Sequence, residues 1–214
     1  WGKGIKVETP NIDAIAKVNP NGPYAIAGFS FGGVVAFEMT RQLKKQGKAV
    51  SLTALLDSYV DSSYYCKTYQ QKKLARYYDV NRRRLAFLME MLTSWKAFKH
   101  RSNTKKEYIL KMYFGKKDIL SEEEALALEQ FTEANRMVQK IIDCYHLKPQ
   151  NIEVDLFRAE NDDSYKLDPI HLGWKKVALK GVVIHNIPGD HLDIVEPPND
   201  KVLAKMLQTI LDEK

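Results

Sequence analysis

Cysteine is almost absent: among 214 residues only Cys66 and Cys144 occur. Two thiols so far apart make no disulfide framework, so a reducing, cytoplasmic compartment is the expectation. No cluster of Cys and His has metal-ligand spacing, and no metal centre is expected. No apolar run approaches the roughly 18 residues of a membrane-spanning helix, so no membrane is expected as a partner. The opening residues Trp1-Gly2-Lys3-Gly4-Ile5-Lys6 lead into no apolar segment of a signal peptide. What is present is a 44% apolar composition. That suits one domain with a sizeable core, or one domain carrying a large insertion.

The stretch Tyr24-Ala25-Ile26-Ala27-Gly28-Phe29-Ser30-Phe31-Gly32-Gly33 organises the rest. An apolar, strand-like run ends in Gly28-x-Ser30-x-Gly32 and passes directly into a helical pattern of Val35, Met39 and Leu43. Lys44 and Lys45 fall in the last turn of that helix, and Gly47 stops it. A bare G-x-S-x-G occurs in ordinary tight turns. The strand before it and the helix after it are what point to a nucleophile elbow. In that turn the serine takes a strained backbone conformation, and small residues are needed where strand and helix nearly touch. Gly28, Gly32 and Gly33 meet that need. The N-terminal N–H groups of the helix then face any anion that forms at Ser30.

Before the elbow, Asn11 is placed as the cap of a brief helix after Pro10, with Ile12, Ile15 and Val18 on one face. Asn19-Pro20-Asn21-Gly22-Pro23 is a turn cluster. After the elbow helix, Ala49–Leu56 reads as a strand buried on both faces, and it ends in Asp57. Strand, helix and strand make a βαβ unit with a right-handed crossover. Open α/β sheets bind ligands at the carboxyl ends of their strands, so Ser30 and Asp57 are expected at one edge.

Residues 60–148 break this alternation. Tyr59, Tyr64, Tyr65, Tyr69, Tyr77 and Tyr78 introduce helical patterns with no strand between them. Leu85, Leu88, Met89 and Leu92 form an apolar stripe. Ser121-Glu122-Glu123-Glu124 is a capping box opening a helix through Leu128, Phe131, Val138, Ile141 and Tyr145. Because strands resume afterwards, a lid inserted between two sheet strands fits better than a separate helical domain. The expected division is a core of 1–59 and 149–214 with a helical lid of 60–148. Between Asn81 and Lys117 eleven Lys and Arg face only Glu90 and Glu107, whereas the whole chain carries +6. Such a run is a solvated face or a docking surface for an acidic partner. No nucleic-acid motif accompanies it, and nucleic acid is not expected as a partner.

Strands return at Ile152–Ala159 and Gly181–Ile187, with the short helical or turn segment Trp174-Lys175-Lys176-Val177 between them. The loop Pro188-Gly189-Asp190-His191-Leu192-Asp193-Ile194 follows, then a helix carrying Val202, Leu203, Met206, Leu207 and Ile210. The fold class is therefore α/β, a mostly parallel sheet flanked by helices. The order Ser30, Asp57, His191 is the α/β-hydrolase order of nucleophile, acid and base. A serine needs a base to take its proton, a histidine titrates in the right range, and a carboxylate holds the imidazole tautomer. The N–H of Phe31 is the first oxyanion-hole candidate. His185, inside a strand pattern, reads as structural. His171 lies in a less defined segment, and His100 and His146 in the lid. Glu160 and Asp162, after the next strand, compete with Asp57 as the acid. Asp190 and Asp193 are too close in sequence to His191 to reach its Nδ1.

The run from Gly22 to Met39 resembles the thioesterase domains that end nonribosomal peptide and polyketide synthases. Leu55-Leu56-Asp57-Ser58 is similar to their catalytic-acid strand. Phe157-Arg158-Ala159, Leu172-Gly173-Trp174 and Pro188-Gly189-Asp190-His191 are similar to their later blocks. The resemblance implies an α/β-hydrolase fold with a helical lid. It implies a serine hydrolase that releases an acyl or peptidyl chain from a carrier protein's phosphopantetheine arm, by hydrolysis or cyclisation. Ser30 is then acylated, His191 is the base, Asp57 the acid, and no cofactor is needed beyond the arm that presents the substrate. That family has several strands before the elbow and a loop supplying a second oxyanion donor. This sequence opens at Trp1 without them, so a truncated fragment, or a second piece completing the sheet, is expected. Two further readings share the same residues: a free-standing esterase or lipase acting on small esters, and a non-catalytic module docking a partner through its basic lid.

Overall fold

A computed structural model of the chain describes residues 10–93, 132–133, 136–161 and 166–213. Strands β1 (Tyr24–Phe29), β2 (Val50–Leu56), β3 (Glu153–Ala159) and β4 (Gly181–Ile187) form one sheet in the order β1-β2-β3-β4, with every pair parallel. The two central strands are buried along most of their length because helices and loops cover both faces. Alternation sorts their side chains. Leu55, Val154 and Leu156 enter a core with Val34, Phe37 and Trp174. Leu52, Ala54 and Phe157 enter a second core with Ile187, Ile194 and Leu203. Register aligns the carboxyl ends: Phe29, Leu56, Phe157 and His185 stand in one row across the sheet.

Helix α1 spans Pro10–Val18 and α2 spans Gly32–Lys45. α1 begins at Pro10, the position where a missing N–H costs nothing, so Asn11 lies inside the helix and does not cap it. Ile12 is buried against Tyr24 and Leu43, and Ile15 packs beside them. Val18, placed on the same face by its spacing, is 88% exposed, because it is the final helical residue and the chain turns away there. α2 lies along β1 and β2, where its Thr40 shares a 3.0 Å hydroxyl–hydroxyl hydrogen bond with Thr53. It ends as expected, with Gly47 at φ +74° and the Lys48 N–H donating to the Leu43 carbonyl at 3.0 Å.

Between β2 and β3 the described residues hold a short 3-10 turn (Ser62–Tyr65), α3 (Tyr69–Thr93) and helical residues 136–144, with no strand. Two residues of the apolar stripe of α3 are exposed: Leu85 and Met89, at 61% and 55%. Among the described side chains of α3, the buried face is polar. Lys72, Arg76, Asp79 and Arg83 recur at helical spacing, and Leu85 falls roughly 220° around the helix from Lys72 at about 100° per residue. Lys72 is 1% exposed and donates to the Ile142 carbonyl at 2.5 Å and to the Tyr145 carbonyl. It thereby satisfies orphan carbonyls at the end of the 136–144 helix. Arg76 pairs with Asp143, and Asp79 accepts from the Ser62 N–H and hydroxyl, both at 3.1 Å. Leu88, Leu92, the capping box at Ser121, Leu128 and Phe131 lie outside the described side chains, as does the basic run beyond Arg84. Val138 and Tyr145 pack against the first core, and Ile141 is exposed.

Tyr145 ties this helical segment to α2. Its hydroxyl donates to Glu38 at 2.9 Å, and Arg41 and Gln42 donate to the same carboxylate at 2.6–2.8 Å. Burial pushes the Glu38 carboxyl up, but the hydrogen bonds from Arg41, Gln42 and Tyr145 outweigh it and hold the group below its ordinary 4.5. A carboxyl depressed in the folded state contributes stability above its unfolded value and loses it as pH falls through the folded one. Between about pH 5 and about pH 3 the urea midpoint of the wild type should therefore drop more steeply than that of Glu38→Gln. Parallel pH profiles for the two proteins would remove Glu38 from the acid sensitivity.

Candidate active site

β1 ends at Phe29, and Ser30 follows in left-handed backbone at φ +53°. The Ser30 N–H donates to the Leu56 carbonyl at 2.9 Å, which fixes the turn to the end of β2. Phe31 is the N-cap of α2, already helical at φ −59°, ψ −29°. The strand and helix approach so closely that a Cβ on Gly28 would lie 2.1 Å from the Gly32 carbonyl oxygen. A Cβ on Gly33 would lie 2.4 Å from Ser58. Gly32 differs from the expectation: its Cβ would point into open space, with nothing within 4 Å. Two of the three glycines are thus demanded by the approach.

Asp57 directly follows β2 and is also left-handed, at φ +41°. Two non-glycine residues in this sparsely populated region sit side by side at one sheet edge, a form of strain that marks functional sites. The Asp57 N–H donates to the Phe157 carbonyl at 2.6 Å. Its carboxylate has no exposed surface. Oδ1 accepts the Ala159 N–H at 3.1 Å. Oδ2 lies 2.6 Å from His191 Nδ1 and 3.7 Å from Lys166 Nζ. The His191 ring stacks on Phe29, centroids 4.8 Å apart at 24°. An ionised carboxylate only accepts, so Nδ1 carries the proton and Nε2 is left for exchange with another group.

Supports surround the edge. Trp174 is fully buried against Phe37 and donates through Nε1 to the Ser58 carbonyl at 2.7 Å. The loop that carries His191 is folded by its own acids. Asp190 accepts from the Leu192 and Asp193 N–H groups at 2.9 and 3.1 Å, and Asp193 accepts from the Asp190 N–H at 3.0 Å. Neither acid holds the imidazole. His185 bonds to Asp155 at 3.0 Å and stacks on Phe157, one row inside the edge. His171 is beside Asp168, and Glu160 is exposed. His146 lies next to Leu147, in the segment after residues 136–144, and its Nδ1 is buried. His100 and Asp162 fall outside the described residues. Sequence reasoning missed the Phe29 platform, the Ala159 N–H and Lys166. Phe29 was legible as the residue before the serine, whereas a loop lysine offers no periodic signal.

Residues 10–211 match the family described as Thioesterase domain. The chain belongs to the thioesterase domain family. This is a family of serine hydrolases. The thioesterase domain is similar to malpinin synthetase of Mortierella alpina, 52% identical over 50 residues, which are 23% of this chain and 1% of that protein. It is similar to polyketide synthase PksR of Bacillus subtilis (strain 168), 47% identical over 47 residues, 22% of this chain and 2% of that one. The matched segments thus span a very small share of these relatives. In fold it is similar to the NocB thioesterase domain solved as a covalent complex with a fluorophosphonate nocardicin G analog. That likeness has a TM-score of 0.54 at 20% identity and covers 94% of this chain and 71% of that one. The parallel sheet with flanking helices is the α/β-hydrolase fold of thioesterase domains of the nonribosomal peptide and polyketide synthase type.

The two glycine environments give a direct contrast. Gly28→Ala should destabilise the thioesterase domain by about 1–3 kcal/mol or more, because backbone of α2 must move. Gly32→Ala should stay within about 1 kcal/mol of the wild type. Urea denaturation of both variants checks this, and equal midpoints would show that the elbow does not need the close approach.

Proposed function

We propose that this thioesterase domain releases an acyl or peptidyl chain from the phosphopantetheine arm of a carrier protein through an acyl-serine intermediate on Ser30. The observation that carries the reading is the 2.6 Å Asp57–His191 hydrogen bond at the same sheet edge as the left-handed Ser30. His191 Nε2 takes the hydroxyl proton as Ser30 Oγ attacks the thioester carbonyl. Asp57 holds the Nδ1–H tautomer and stabilises the imidazolium. The N–H of Phe31, at the N-terminus of α2, stabilises the oxyanion, a contact of this kind being worth about a hundred- to a thousandfold in rate. Collapse breaks the carbon–sulfur bond, and His191 returns its proton to the departing thiolate. Water, or a nucleophile within the chain itself, then attacks the acyl-serine with His191 again as base. This yields a free acid or a ring and restores Ser30.

The chemistry requires no resident cofactor, since the substrate arrives on the carrier's own arm. Residues 60–148 act as a lid over a core of 1–59 and 149–214. The partner is an acyl or peptidyl carrier domain, a reading supported by the synthetase and synthase relatives. The Lys/Arg excess between Asn81 and Lys117 suits an acidic carrier surface. A reducing cytoplasm suits the two free thiols, Cys66 and Cys144.

A fluorophosphonate should add one label per chain, seen by intact mass and mapped to the peptide holding Ser30. Ser30→Ala and His191→Ala should both lose it. Folded wild-type protein that takes no label would overturn the acyl-serine reading. Labelling with turnover of simple esters but not of carrier-bound thioesters would replace the carrier substrate with a small ester.

A further inference from the structure

We propose that Lys166 is a positioning residue for this reaction: the counter-charge beside the buried Asp57 carboxylate that holds it turned toward His191 before the imidazole gains its proton. The inference rests on the acyl-serine reading above. The Asp57 side chain is 0% exposed. An ionised carboxylate taken out of water is costly unless charges and hydrogen bonds compensate it. Among the described residues, the side-chain oxygens of Asp57 accept two hydrogen bonds in the resting state. Ala159 gives one N–H to Oδ1 at 3.1 Å, and neutral His191 gives one to Oδ2 at 2.6 Å. Neither brings a full charge.

Lys166 does. Its Nζ is 3.7 Å from the same Oδ2, and its side chain is 13% exposed, so water screens the pair little. Apart from His191, it is the one cationic side chain within 4 Å of that carboxylate among the described residues. At 3.7 Å the ammonium is too far to be a hydrogen-bond donor, so it does not displace His191 and acts as a point charge. The two nitrogens share one oxygen and so lie within about 6 Å, which means that Lys166 also repels the imidazolium when it forms. The carboxylate oxygen is in direct hydrogen-bond contact with Nδ1 at 2.6 Å, and its attraction for the imidazolium prevails. Lys166 therefore acts through Asp57 and never needs to touch the substrate.

The test compares wild type, Lys166→Met, Lys166→Arg and Asp57→Asn by the kinetics of fluorophosphonate labelling, with thermal melts to confirm folding. Lys166→Met should slow the maximal labelling rate by about ten- to a hundredfold, less than Asp57→Asn, while leaving the half-saturating inhibitor concentration unchanged. Lys166→Arg should recover most of the rate, since the charge is what matters. A second readout does not depend on activity. The Nδ1–H proton of His191, bonded to a carboxylate, should give a downfield proton NMR signal that is missing in His191→Ala and weakened or shifted in Lys166→Met. Wild-type labelling kinetics with an unchanged signal in Lys166→Met would overturn the inference. So would a Lys166→Arg variant as slow as Lys166→Met. If the wild type itself takes no label, the acyl-serine reading fails, and the signal alone then decides whether Lys166 positions the Asp57–His191 pair.

Discussion

A carboxylate without exposed surface is the constraint that shapes the carboxyl edge of the sheet. Asp57 leaves β2 in left-handed backbone and carries its charge into a place where water does not reach. Separate elements of the chain contribute to holding it there. β3 supplies the Phe157 carbonyl and the Ala159 N–H, and the loop after β4 supplies His191. Such a group is tolerated only when partners arrive from several directions at once. That requirement fixes the loop after β4 against β2 although more than a hundred residues separate them in the chain.

The serine turn depends on the same edge. Ser30 is tied to Leu56 by its own N–H, one residue before Asp57, so the two strained residues share a boundary. Gly28 and Gly33 let α2 descend onto β1 and Ser58, and Trp174 buttresses Ser58 from below. From α2 the connections continue outward through Glu38 to Tyr145, whose carbonyl accepts from the buried Lys72 of α3. A continuous set of hydrogen bonds therefore joins the helix that follows Ser30 to the helical segment proposed as a lid.

Much of this was legible before any coordinates. Near-continuous apolar runs marked the strands around Ser30 and Asp57, the turn chemistry of Gly47 marked the end of α2, and the residues after the strands marked the edge. The strand-to-helix passage around Ser30 was legible because its glycines answer a local steric demand. Three points needed the third dimension. Gly32 looked like Gly28 and Gly33 in the string, but its Cβ direction is open. Val18 keeps helical spacing with Ile15 but sits where the chain departs. On α3 the sequence shows an apolar stripe, but the face that the described residues bury is the polar series from Lys72 to Arg83. Periodicity shows that a helix has two faces and cannot say which one a neighbour covers.

By itself the sequence determined the elements, their parallel order and the chemistry available at their ends, because backbone propensity, side-chain alternation and turn sterics act over a few residues. Only the tertiary structure decided which acid meets which histidine. Asp57, Glu160 and Asp162 all stood near strand ends, and five histidines were available. The choice of Asp57 and His191 is a matter of where two loops converge across the sheet. The placement of Lys166 beside them is likewise a through-space electrostatic contact that no spacing in the chain encodes.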